Sequence, residues 1–141
     1  MEQQLYNWTC SICSFTWVCN AIGIPMDRIQ AGSIIGYPSC VNETYGLMSA
    51  DCLINAFASV NLKAIQGWYT FQEAYSICRD HTGVINPLGM YHFMGVRGVS
   101  PSTIWVANSA PGYCGITDDL NKYNYDSLGP TQLIWIKEWI G

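Results

Sequence analysis

The sequence predicts an α+β domain, with a helical N-terminal half packed on a small antiparallel β-sheet from the C-terminal half. Three observations carry this expectation. Up to about Gly83, apolar residues recur mostly at helical spacing between capping residues and glycines. From Val84 onward, short β-rich runs are separated by Asn-Pro, Gly and Ser-Pro-Ser turn signals. With 141 residues, 50% of them apolar, the chain can bury one sizeable core.

Thr9 is placed to cap a first helix from Cys10 to about Ile22, which Gly23 ends and Pro25 prevents from continuing. A second short helix is expected from Met26 to Ile35, closed by Gly36-Tyr37-Pro38-Ser39, and Cys40 to Met48 reads as a loop. Ser49, with Asp51 in the first turn, opens a third helix from Ala50 to about Val60, and Leu62 to Ile65 is a short extended piece. Thr70-Phe71-Gln72-Glu73 is a capping box, with Tyr69 as the outer half of a hydrophobic staple, and starts a fourth helix reaching about Asp80.

Strands follow at Val84-Ile85, Met90 to Val99, Thr103 to Ala107 and Pro130 to Ile136, with a tight hairpin connection at Val99-Ser100-Pro101-Ser102-Thr103. Ala110-Pro111-Gly112-Tyr113 forces a loop, and Asp118 to Asp126 suits a short helix. No repeat, low-complexity run or linker interrupts residues 1–141, so a single domain is expected.

Composition removes several function classes. Charged residues make up 11% of the chain, the formal charge is −4, and the six basic residues are scattered, so no nucleic-acid surface is expected. No apolar run approaches the roughly 18–20 residues that would span a membrane. Met1-Glu2-Gln3-Gln4 lacks the basic start and apolar run of a signal peptide. The expectation is a chain made in a cytoplasm, or a piece of something larger. The seven cysteines form an odd number, which argues against a full disulfide framework. Cys19, Cys52 and Cys78 fall in helical apolar patterns and read as buried free thiols.

The chemistry-bearing candidates are Cys10, His92 and Asn108. Cys10 begins a helix, where unpaired backbone N–H groups and the helix dipole favour a thiolate. Gln4, six residues upstream, suits the side-chain half of an oxyanion hole, unless it is only a solvated terminal residue. Cys13 makes a CxxC pair with Cys10, which leaves two rivals open. A zinc site needs a second ligand pair that the chain does not supply, and a thioredoxin-type dithiol needs a leading strand that is missing here.

Of the two histidines, His81 follows a helix C-terminus, where a cation suits the dipole, and His92 lies in an apolar strand. There it is either a core histidine or a general base, and strand alternation orients it with Met94 and Val96. Asn108 ends the next strand and is either a turn residue or the group that fixes the imidazole tautomer. Cys, His and Asn in that order, on a helix and two adjoining strands, suit a thiol hydrolase.

Gln4…Cys10, Tyr91-His92-Phe93 with Gly95-Val96-Arg97-Gly98-Val99, and Ile104-Trp105-Val106-Ala107-Asn108 together resemble papain-like peptidases of the bacteriocin-processing, double-glycine type. The Cys-Gly-Pro of that group is Cys10-Ser11-Ile12 here, and its Asp-Pro is Asn108-Ser109. Tyr6-Asn7-Trp8-Thr9-Cys10, Ile35-Gly36-Tyr37-Pro38, Tyr45-Gly46-Leu47-Met48 and Ala107-Asn108-Ser109-Ala110-Pro111-Gly112-Tyr113 are similar to the N-terminal peptidase domain of mycobacteriophage endolysins of the lysin A type.

The resemblance implies a peptidoglycan endopeptidase that cuts stem or cross-bridge peptides during phage-induced lysis. It would be a monomer with further lysin domains C-terminal to it. On this reading Cys10 is the nucleophile, His92 the base, Asn108 its orienter and Gln4 an oxyanion donor. Trp8, Tyr91 and Tyr113, with Tyr37 and Tyr45 as further candidates, line the substrate groove, and no metal or cofactor is required. The alternatives are a CxxC redox protein and a papain-like module that only binds peptide.

Overall fold

A computed structural model describes residues 8–87, 92–108, 117–119 and 130–140. Among the described residues the helices are α1 (Cys10–Ile22), α2 (Arg28–Ile35), α3 (Ala50–Ser59) and α4 (Phe71–Cys78), all before Arg79 and interleaved with strands. The strands are β1 (Val41–Asn42), β2 (Gly46–Leu47), β3 (Leu62–Tyr69), β4 (Gly83–Pro87), β5 (Met94–Ser100), β6 (Thr103–Ala107), β7 (Thr117–Asp119) and β8 (Thr131–Trp139). β1 and β2 form a small hairpin where a loop was expected. The other six strands make one antiparallel sheet in the order β3-β8-β4-β5-β6-β7, so the last strand inserts between β3 and β4.

The helix ends follow local chemistry. Gly23 ends α1 at φ 107°, and the N–H of Ile24 closes the turn onto Cys19 O at 2.8 Å. α2 starts later than expected, at Arg28, because Asp27 and Gln30 form a capping box. The Thr70–Glu73 capping box starts α4 as expected. β3 runs on to Tyr69, because its whole length finds a partner in β8. The short helix expected from Asp118 begins instead as β7, paired through Val106 and Asp118 to β6; residues 120–129 lie outside the described residues.

Alternation along the strands sends successive residues into two cores. Val84, Ile134 and Ile136 pack with Ile12, Phe15, Val18, Leu53 and Phe57, which lie on α1 and α3. Ile85, Leu133, Met94 and Val96 pack with Ala74 and Cys78 of α4. The sheet is thus covered by α1–α3 on one face and by α4 on the other.

The cysteines divide differently from the expectation. Cys52 is not a free packing thiol, because it is disulfide-bonded to Cys40. The hairpin returns the chain so that their Cα atoms lie 5.8 Å apart, a separation a disulfide can bridge. Cys10, Cys13, Cys19 and Cys78 are buried and outside this disulfide.

Candidate active site

The site forms where the N-terminus of α1 meets the start of β5. One stripe of α1, spaced by four and three residues, faces this strand: Cys10, Ser14 and Trp17. Ser14 Oγ donates to Phe93 O at 3.0 Å. Trp17 packs against Gly95, where an added Cβ would run into its indole ring. Only a residue without a side chain lets the helix come this close.

Cys10 is 9% exposed. Its thiol is within hydrogen-bonding reach of the Phe93 N–H, which belongs to the peptide joining Phe93 to His92, and of the N–H groups of Ser11 and Cys10 itself. Burial pushes the thiol above its ordinary value of 9.0, and these three donors pull it down without overcoming burial. The helix terminus alone suggested a thiolate; desolvation reverses that expectation.

His92 precedes β5 instead of lying inside a strand, so strand alternation does not orient it. The β4–β5 ladder ends at Ile85↔Met94. One step further, the side chain of Asn86 replaces a strand partner, and the His92 N–H donates to Asn86 Oδ1 at 3.0 Å. The pairing of Gly95 with Ala107 brings Asn108 opposite the same end of β5. His92 Nε2–H donates to Asn108 Oδ1 at 2.6 Å, since that oxygen can only accept. Asn108 is buried, at 1% exposure. Burial lowers the His92 pKa below its ordinary 6.5, and the Asn108 bond works in the opposite direction. At neutral pH both thiol and imidazole are therefore uncharged. With Nε2 occupied by Asn108, Nδ1 is the ring nitrogen left to accept a proton.

Trp8 stacks on Tyr37 with ring centroids 5.6 Å apart. The two rings line a groove of about 360 Å³ with Ile12 and Ile29, between α1 and α2. Tyr45 is exposed at the tip of the β1–β2 hairpin. Gln4, Tyr91 and Tyr113 lie outside the described residues. Cys13, 1% exposed, packs inside α1. His81 closes the α4 terminus with its backbone N–H, on Ile77 O at 3.0 Å, but its ring does not: Nδ1 lies 2.9 Å from Ile136 O, and the ring packs on Trp135. His92 is the histidine whose peptide link to Phe93 carries the N–H that reaches the Cys10 thiol. Asn86 was not anticipated, because the Asn86-Pro87 pair read only as a turn signal.

No protein-family model matches the chain, and no curated protein matches it. Solved structures do. A double-glycine-motif protease from an AMS/PCAT transporter, crystallised with its leader peptide, superposes with a TM-score of 0.72 at 15% identity, covering 95% of this chain and 88% of that one. The peptidase domain of Streptococcus ComA, a bifunctional ABC transporter of a quorum-sensing pathway, gives 0.70 at 8% identity, covering 97% of both chains. A putative C39-like peptidase from Bacillus anthracis gives 0.62 at 13% identity, covering 95% of this chain and 92% of that one. The chain has the papain-like fold of the double-glycine (C39) peptidase domains.

Proposed function

We propose that this chain is a cysteine peptidase with Cys10 as nucleophile, His92 as general base and acid, and Asn108 as the residue that orients His92. The observation that carries the proposal is the bonded His92–Asn108 pair at the open end of β5 and β6, one peptide away from the Cys10 thiol. Because both partners rest uncharged, the thiol proton passes to His92 Nδ1 as Sγ attacks the peptide carbonyl. The resulting imidazolium is stabilised through Nε2–H by Asn108. The oxyanion takes the Cys10 N–H, a first-turn donor with no partner within the helix, and the side chain of Gln4. His92 then protonates the leaving amine, and water hydrolyses the thioester.

The substrate proposed is the stem or cross-bridge peptide of peptidoglycan, cut during phage-induced lysis. Its support is the likeness of the segments around Trp8-Thr9-Cys10 and Ala107-Asn108-Ser109 to the lysin A peptidase domains. A second reading, cleavage of a leader peptide, is favoured by the double-glycine-motif protease that shares the fold and was crystallised with its leader peptide. No described helix is long and apolar enough to cross a membrane.

The deciding experiment incubates the wild type and Cys10→Ala with purified mycobacterial peptidoglycan, and in parallel with a double-glycine leader peptide, and measures newly freed amino groups. Release from peptidoglycan by the wild type alone supports the first reading. Release from the leader peptide alone supports the second, and equal activity of Cys10→Ala would rule out both.

A further inference from the structure

We infer that Asn86 is a positioning residue for His92, acting from β4 with Gln132 of β8 behind it. The inference deepens the peptidase reading, but it rests on geometry that stands apart from the substrate. The β4–β5 ladder stops at Ile85↔Met94, so His92 enters the site with no strand partner for its backbone. Asn86 Oδ1 accepts that orphan N–H at 3.0 Å. The other end of the same amide, Nδ2, donates to Gln132 Oε1 at 3.4 Å. Both residues are half-buried, and they occupy paired positions on adjacent strands, Asn86↔Gln132.

His92 is thereby held at two points, its ring by Asn108 Oδ1 and its main chain by Asn86 Oδ1. A single hinge would leave the ring free to swing, whereas two anchors from different strands fix where Nδ1 lies. The amide serves both neighbours at once: its oxygen accepts from the His92 N–H, the anchoring bond, and its nitrogen donates to Gln132. The titratable group facing the following peptide, His92–Phe93, is Cys10, through the Phe93 N–H. Misplacing a catalytic group by about 1 Å costs on the order of a hundredfold in rate, so a lost anchor is expected to be felt.

The test exploits the chain's having only two histidines. Imidazole ¹⁵N spectra then contain one signal set from His92 and one from His81, whose bond to Ile136 O makes it an internal control for the fold. In the wild type the neutral His92 ring should be the Nε2–H tautomer. Asn86→Ala should mix the tautomers of His92 while leaving His81 unchanged, and should lower the Cys10-dependent peptidase rate roughly tenfold or more. Asn86→Asp retains an acceptor for the His92 N–H, and should restore the single tautomer and recover much of the rate.

If Asn86→Ala keeps a pure Nε2–H tautomer at full rate, or if Asn86→Asp behaves like Asn86→Ala, the positioning role is refuted. Should Asn86→Ala fail to fold, amide exchange in the wild type decides. Protection of the His92 N–H supports the anchor, and exchange as fast as in an unstructured peptide overturns it. The spectra and the exchange rates read the anchor even if the protein cleaves neither substrate, so the two proposals fail separately.

Discussion

Replacing Asn108 by Ala removes the oxygen that accepts from His92 Nε2–H at 2.6 Å, in a site where Asn108 is 1% exposed and water cannot readily substitute. During the reaction this donor belongs to an imidazolium, and a hydrogen bond to a charged group contributes about 1.5–3 kcal/mol. At about 1.36 kcal/mol per tenfold, the loss corresponds to a kcat/KM lower by roughly tenfold to 150-fold. The sign of the pH effect is more diagnostic than its size. Burial lowers the His92 pKa and the Asn108 bond raises it, so deleting the bond should carry the acid limb of the rate profile to lower pH. Asn108→Asp, which places a carboxylate against the ring, should carry it to higher pH. Profiles of kcat/KM for the three proteins between about pH 4 and 8 would test this. A loss smaller than twofold in Asn108→Ala would refute the reasoning. So would an acid limb moving up in that variant, because it would mean that His92 had simply become solvated.

Three further outcomes are expected. Because burial holds the Cys10 thiol above 9.0, its alkylation by iodoacetamide should be slow at neutral pH and should climb beyond pH 9.0; peptide mapping that finds a plateau already at neutral pH would contradict this. Gly95→Ala should drive a methyl group into the Trp17 ring, part α1 from β5 and cost about 1–3 kcal/mol in thermal unfolding, with a larger fractional loss of activity than of folded protein. Reducing the Cys40–Cys52 bond, which closes a short loop between the β1–β2 hairpin and α3, should lower stability by about 3 kcal/mol in urea titration. An unchanged midpoint would mean that the clamp is not stabilising.

The parts of this molecule legible in the sequence are those fixed by local chemistry. α1 begins at Cys10 and ends at Ile22 as expected, because Gly23 offers a left-handed terminus. β6 spans Thr103–Ala107 as expected, because Pro101-Ser102 makes a tight turn in which Ser102 adopts φ 64°. That hairpin brings Asn108 to the end of β5, where its Oδ1 meets His92.

What escaped reading depends on tertiary contacts that no local pattern announces. The Cys40–Cys52 bond required a hairpin too short to show any alternation. The position of His92 before β5 depends on Asn86, whose side chain ends a ladder that its own backbone continues toward β8. The direction of the Cys10 shift could not be inferred from a helix terminus, because burial outweighs the N–H groups there.

The central claim is that Cys10 forms a covalent acyl intermediate, with His92 accepting its proton. Acid-quenching the wild type during turnover and measuring its intact mass, followed by peptide mapping, tests this directly. The account predicts an adduct with the mass of the acyl half of the substrate, carried on the peptide containing Cys10 and absent from Cys10→Ala. Turnover by Cys10→Ala at the wild-type rate, or an adduct mapping to Cys13 instead, would contradict it.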